Sequence, residues 1–131
     1  MKLRATGLMV LAAAASMALA ADSAPQSAKS PHACFSAANF RAWKAADGST
    51  IFVRASRHRY YRLDLMGVCP QLTMPGARLI TIFTGSRQVC AARDWNLRVA
   101  GPGMPAILCQ VRSMTPLSPA QVAAIPGDER P

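Results

Sequence analysis

The chain has 131 residues, a length that suits one domain, and carries 15 Lys and Arg against 6 Asp and Glu, a formal net charge of +9 at pH 7. Such a balance favours anionic partners, although net charge speaks to association and not to fold. Two histidines and six acidic residues leave little material for acid-base catalysis, and the four cysteines lack the short spacing of zinc sites.

The amino end reads as a secretory signal peptide over residues 1–20. Lys2 and Arg4 are followed by an apolar run from Leu8 to Ala15 and by Ala18-Leu19-Ala20, which fits the small-x-small cleavage rule. That run is well short of the roughly 20 residues of a membrane-spanning helix. Cleavage after Ala20 predicts an exported protein, periplasmic or secreted, with no transmembrane segment. The first cysteine is Cys34, so the cleavage site has no residue for a lipid anchor. Loss of Lys2 and Arg4 leaves 13 basic and 6 acidic residues, or +7, and 11 of the 13 are arginine. Arginine suits flat, bidentate contact with carboxylates and phosphates.

Residues 21–33 contain no large apolar side chain and read as a flexible leader, in which His32 is a solvated residue and not a metal ligand. A single domain is expected over residues 34–126, with a short tail at 127–131. At its start a turn of helix precedes a strand at 40–44. Asp47-Gly48 is a strong turn signal, so 49–55 forms the second arm of a hairpin, with Ile51, Val53 and Ala55 on one face and Phe52 and Arg54 on the other.

The densest stretch runs from Ser56 to Pro70. Its strand, 59–66, places Tyr61, Leu63 and Leu65 inward and Tyr60, Arg62 and Asp64 outward. Gly67 ends it. A turn at Pro75-Gly76 precedes 79–84, whose β-branched and apolar content predicts a buried strand. Residues 89–92 form a short edge piece carrying Cys90. Trp95, Leu97 and Val99 alternate with Asn96 and Arg98 in a further strand that stops at Gly101-Pro102-Gly103, and a last strand spans 107–114. Ser118-Pro119-Ala120-Gln121 combines an N-cap, a proline at the first helical position and a capping-box glutamine, so a short helix runs to Ile125.

Cys34, Cys69, Cys90 and Cys109 form an even set in an exported chain and predict two disulfides. Three pairings are open. Cys34 with Cys69 and Cys90 with Cys109 is the expected one, because the second bridge would bracket a hairpin-sized segment.

The cluster with chemical content is Arg54, Arg57, His58, Arg59, Tyr60 and Arg62. On the strand reading, Arg54 and Arg62 project from the outer face while Arg57 and Arg59 crown the adjoining turn. Together they make an anion-binding candidate, with Arg98 and Arg112 on the same face if their strands join the sheet. The competing reading is a solvated face whose arginine stems shield apolar surface. Single-stranded nucleic acid is disfavoured, because Tyr60 and Tyr61 point to opposite faces and give no stacking platform. Met66, Met74, Met104 and Met114 lack Met-x-Met spacing and read as gap-fillers, not copper ligands. No catalytic, cofactor-binding or metal-ligating set is identified, and no cofactor is expected.

The mature domain resembles a family of small exported proteobacterial proteins classed as a domain of unknown function. The likeness rests on Cys34, on Tyr61-Arg62-Leu63-Asp64-Leu65 with Gly67 and Cys69, on Cys90 and Cys109, and on Leu117-Ser118-Pro119. It implies a stapled exported domain and transfers no catalytic residue. The fold expected is α+β and mainly β: a small antiparallel sheet of five to six short strands, a carboxy-terminal helix and two disulfides. The function expected is a non-catalytic binding module for an anionic envelope component or an acidic protein. Its alternatives are a structural or stress-related envelope protein without a specific ligand and, behind that, an enzyme acting on a cell-envelope substrate.

Overall fold

The computed structural model describes residues 33–83 and 87–131. The expected signal peptide, the leader up to residue 32, and His32 lie outside the described residues. The described chain is mainly β, with nine strands: β1 Phe35–Ser36, β2 Ala42–Ala45, β3 Thr50–Ser56, β4 Arg59–Leu65, β5 Arg78–Phe83, β6 Gln88–Val89, β7 Trp95–Ala100, β8 Ile107–Leu108 and β9 Val111–Pro116. One α-helix, α1 Pro119–Ala123, closes it, and short 3-10 turns occupy Ala37–Asn39, where a turn of helix is expected, and Ala92–Asp94. The strands form three antiparallel sheets, ordered β2-β3-β4-β9, β5-β7-β8 and β1-β6.

Alternation puts one face of each larger sheet into a common core. Ile51, Val53 and Ala55 of β3 and Tyr61, Leu63 and Leu65 of β4 are buried from one side, and Trp95, Leu97 and Val99 of β7 from the other. The pairing Ile51↔Leu63 and Val53↔Tyr61 keeps the apolar sets on the same face, as a period of two requires. Phe35 and Val89 pair across β1 and β6 and join the same core. Five aromatic rings meet at this junction: Phe35 lies 5.1 Å from Tyr61 and 6.0 Å from Trp95, and Phe83 and Phe40 lie 5.1 and 6.2 Å from Trp95. Trp95 Nε1 donates to Met114 Sδ at 3.4 Å, so this one of the four methionines does fill the core.

Several elements differ from expectation in ways with a physical cause. The β2–β3 hairpin forms, but its Asp-Gly pair does not make a tight two-residue turn, since among the described residues only Gly76 and Gly103 have positive φ. The connection is instead a four-residue loop. In it the Asp47 carboxylate accepts from the Ser49 amide at 2.7 Å and the Ser49 hydroxyl at 2.9 Å. Gly48 serves close approach: a Cβ there would sit 3.0 Å from Val68 Cγ1, and its carbonyl accepts from the Cys69 amide.

The single strand expected at 107–114 is two strands in different sheets. Cys109 N still donates to Leu97 O of β7, while Gln110 O accepts from Met66 N next to β4, so the chain changes partner between these residues. Side-chain alternation continues through the switch, which hides it from the sequence. The strand expected to be buried at 79–84 is buried on one face only: Ile80 is 42% and Ile82 55% exposed.

The disulfides are Cys34–Cys90 and Cys69–Cys109, which corrects the expected pairing of Cys34 with Cys69 and Cys90 with Cys109. The cause is register. Phe35 pairs with Val89 in an antiparallel ladder, so Cys34 and Cys90 are the next opposed positions, with Cα atoms 4.1 Å apart. Cys69 follows β4 and Cys109 precedes β9, and β4–β9 pairing brings these ends together, Cα to Cα 5.9 Å. Cys90 never returns in a hairpin to Cys109.

Helix α1 begins as expected. Ser118 Oγ accepts from Gln121 N, Gln121 Oε1 accepts from Ser118 N at 2.8 Å, and Pro119 opens the first turn. Five helical residues cannot persist alone. Buried Ile125 and the Arg130 guanidinium, which donates to the carbonyls of Ala123 and Ile125, hold the helix to the domain.

Three outcomes are expected. Non-reducing peptide mapping will return Cys34–Cys90 and Cys69–Cys109, and replacing either pair by serine will cost about 2–4 kcal/mol in denaturant unfolding. Phe35→Ala will cost about 3–5 kcal/mol, several times the effect of truncating the exposed Ile82. For Asp47, the Ser49 amide and then the Ser49 hydroxyl hold its carboxyl below 3.8. A depressed folded pKa adds stability above the unfolded value that is lost as pH falls through the folded one. Asp47→Ala will therefore lower stability slightly at neutral pH, with the gap to the unmutated protein closing in thermal melts as pH falls through the folded pKa.

Candidate functional site

The outer face of the four-stranded sheet carries part of the expected anion-binding cluster. Cross-strand rows on this face run Ala42–Arg54–Tyr60 and Lys44–Phe52–Arg62–Thr115, which places Arg54 and Arg62 on one diagonal. Their environments differ. Arg62 Nε donates to Asp64 Oδ1 at 2.8 Å, and Asp64 Oδ2 accepts from Ser113 Oγ at 3.0 Å. Arg62 is thus charge-paired and held flat on the sheet. The Nε of half-buried Arg54 is enclosed without a partner.

Arg57 and His58 form the two-residue connection between β3 and β4 and are exposed, as is Arg59. Arg59 has the parity of Tyr61, not of Tyr60, so it leans to the opposite side of the hairpin from Arg54 and Arg62. Its charge is felt there: burial pushes the Tyr61 hydroxyl above its usual pKa of 10.0, and Arg59 works against that rise. The four arginines therefore do not converge on one flat patch. Arg57 and Arg59 cap the hairpin end, Arg54 lies beneath, and Arg62 is engaged with Asp64.

Arg98 does not join this face, because β7 belongs to the other large sheet. Arg112 sits in β9 at the register shift opposite Asp64 and Leu65, and its guanidinium donates to Met66 O at 3.3 Å.

Among the described residues Arg62–Asp64 is the one ion pair. The Asp94 carboxylate is committed to the amides of Cys90 and Ala91 at 2.8 and 2.9 Å, and that of Asp47 to its own turn. The side chains of Arg41, Arg54, Arg57, Arg59, Arg78, Arg87, Arg93 and Arg98 make no hydrogen bond or ion pair within the described chain. All four cysteines are bridged, and no group of three or more metal-ligating side chains occurs among the described residues.

Surface hollows add little chemistry. A cleft of about 470 Å³ between α1 and the four-stranded sheet is lined by Phe52, Leu117, Ile125 and the Arg62–Asp64 pair. Another of about 630 Å³ runs past Trp43, Lys44, Leu72 and Asp128. Each holds a single carboxylate and no histidine. His58 borders a smaller hollow of about 240 Å³ with Tyr60 and Pro116 and no carboxylate.

One set of surface residues escaped sequence reasoning. Met66, Val68, Ile80, Ile82 and Leu108 are all exposed, from 42% for Ile80 to 79% for Val68. Leu108, Arg98 and Ile80 form one cross-strand row on the outer face of β5-β7-β8, and Met66 and Val68 border Leu108. The signal was present in Arg78-Leu-Ile-Thr-Ile-Phe83, where a polar threonine sits on the face opposite the isoleucines. Met74 and Met104 also meet: both sulfurs lie within 3.2 Å of where a Gly101 Cβ would stand.

Comparison with known proteins returns no curated protein and no solved structure that matches. Over residues 1–130 the chain matches, and belongs to, a family of unknown function (DUF6491).

Proposed function

We propose that this protein is an exported, non-catalytic binding module that meets an anionic envelope partner through the β3–β4 hairpin end. The observation that carries this reading is the imbalance of charge pairing. Arg57 and Arg59 are exposed, Arg54 lies beneath them, and none of the three has a carboxylate partner. The described residues offer only Asp47, Asp64, Asp94, Asp128 and Glu129 as acids, and the first three are engaged in hydrogen bonds. Unpaired guanidinium groups at a protruding turn retain full donor capacity toward phosphate, sulfate or carboxylate.

Export is supported by the amino-terminal pattern and by two disulfides, which persist in oxidising compartments. The non-catalytic reading is supported by the hollows, where no base is juxtaposed with a nucleophile or a second carboxylate.

The test is elution from immobilised heparin, a generic polyanion. Arg57→Ala/Arg59→Ala will elute at markedly lower salt than the unmutated protein, while Arg41→Ala/Arg87→Ala, which removes equal charge elsewhere, will shift less. Equal shifts for the two pairs would reduce the hairpin end to a share of overall charge and sink the proposal.

A further inference from the structure

We propose that the outer face of β5-β7-β8, with the adjoining Met66-Gly67-Val68 loop, is a docking surface for an anionic phospholipid bilayer. It stands on different residues from the hairpin end and does not depend on that reading.

Five of the six large apolar side chains exposed in the described chain gather here: Met66, Val68, Ile80, Ile82 and Leu108, with Met104 the exception. The register makes the set continuous. Ile80, Arg98 and Leu108 stand side by side on adjacent strands, about 4.8 Å from strand to strand. Ile82 opposes Asn96 in the next row, and Met66 shares a hollow of about 430 Å³ with Leu108 and Asn96. Val68, 79% exposed, lines a further hollow of about 340 Å³ with Met66 and Leu108. An apolar surface of this continuity marks an interaction site.

Charge decides the occupant. Arg98 lies inside the apolar row, Arg78 is on the same face of β5, and Arg93 borders the hollow beside Met66 and Leu108. No position on the face is acidic. Side chains of this kind insert aliphatic groups below a headgroup layer while guanidinium groups reach its phosphates. A second copy of the chain fits poorly, because self-complementary pairing would bring one set of arginines against the other. A protein partner fits less well too. The face has protruding aliphatics and no aromatic anchor set in a desolvated pocket, the usual centre of a protein interface.

Co-sedimentation with vesicles of phosphatidylcholine alone, and of phosphatidylcholine with one-third phosphatidylglycerol, tests this. The protein will pellet with the second and not the first. Ile82→Ser/Leu108→Ser will lower the partition coefficient by about tenfold. Arg78→Gln/Arg98→Gln will lower it by about 25-fold, at about fivefold per arginine. Arg41→Ala, which removes exposed charge beside β2 of the other large sheet, will change it less than twofold. All substituted residues are exposed, and each variant is accepted only with both disulfides intact and an unchanged near-ultraviolet circular dichroism spectrum.

Equal partition into the two vesicle types would overturn the proposal. So would loss through Arg57→Ala/Arg59→Ala at the hairpin end with no loss through the two variants of this face, or binding to polyglutamate in the absence of any vesicle binding. A dimer in sedimentation velocity that Ile82→Ser/Leu108→Ser dissociates would overturn it in favour of self-association.

Discussion

Phe35 stands where the three sheets meet, and the Cys34–Cys90 bridge fixes it there. The strand that carries it has two residues and two partners in register, Val89 and Gln88. So short a ladder cannot hold itself. The bridge extends it by one covalent position, and Phe35 anchors it by packing on Tyr61 of one large sheet and Trp95 of the other. A ring lodged between two inner faces sets their separation, because interiors pack to crystal-like density and leave no slack for a sheet to slide. The second bridge acts at the other end. Cys69–Cys109 closes the point where the chain leaves β8, paired to β7, and enters β9, paired to β4. The β4–β5, β6–β7 and β8–β9 crossings between sheets each carry a bridged cysteine.

With the inner faces committed to one core, the outer faces are left to differ. The four-stranded sheet is partly roofed by α1 and Ile125, and its centre is neutralised by Arg62 and Asp64. No described element roofs the three-stranded sheet. Ile80, Ile82 and Leu108 stay in solvent there, although they are no less apolar than the residues behind them. Burying them would recover roughly 25 cal/mol per Å². The folded chain forgoes that gain.

Much of the architecture was legible from period-two alternation: β3, β4 and β7 carry the inward sets that the sequence assigns, and the Ser118 cap starts α1 where its signature says. What stayed hidden is tertiary. Periodicity reports which way a side chain points but not which strand lies beside it, so the strand at 107–114 read as one element and the cysteine pairing followed a hairpin that does not exist. Residues 79–84 read as buried because their apolar content matches that of central strands, and composition cannot say whether a second layer is present. The arginines were individually visible. That Arg62 is taken by Asp64 while Arg57 and Arg59 remain unengaged depends on which carboxylates their neighbours present.

The bare sheet also raises the problem that every unroofed edge raises. Strand β5 has β7 on one side and no described partner on the other, and its exposed isoleucines are what edge-to-edge association exploits. Two features oppose that outcome. Arg78 starts the strand, and Arg98 sits in the middle of the apolar row, so an approaching copy must desolvate or confront fixed positive charge before it gains apolar contact. Such gatekeepers are selective. They repel a second basic domain of the same kind and attract an anionic surface, and their long stems let the charge remain hydrated while the isoleucines beside them are covered. The same arginines that keep the uncovered face soluble therefore choose what is able to cover it.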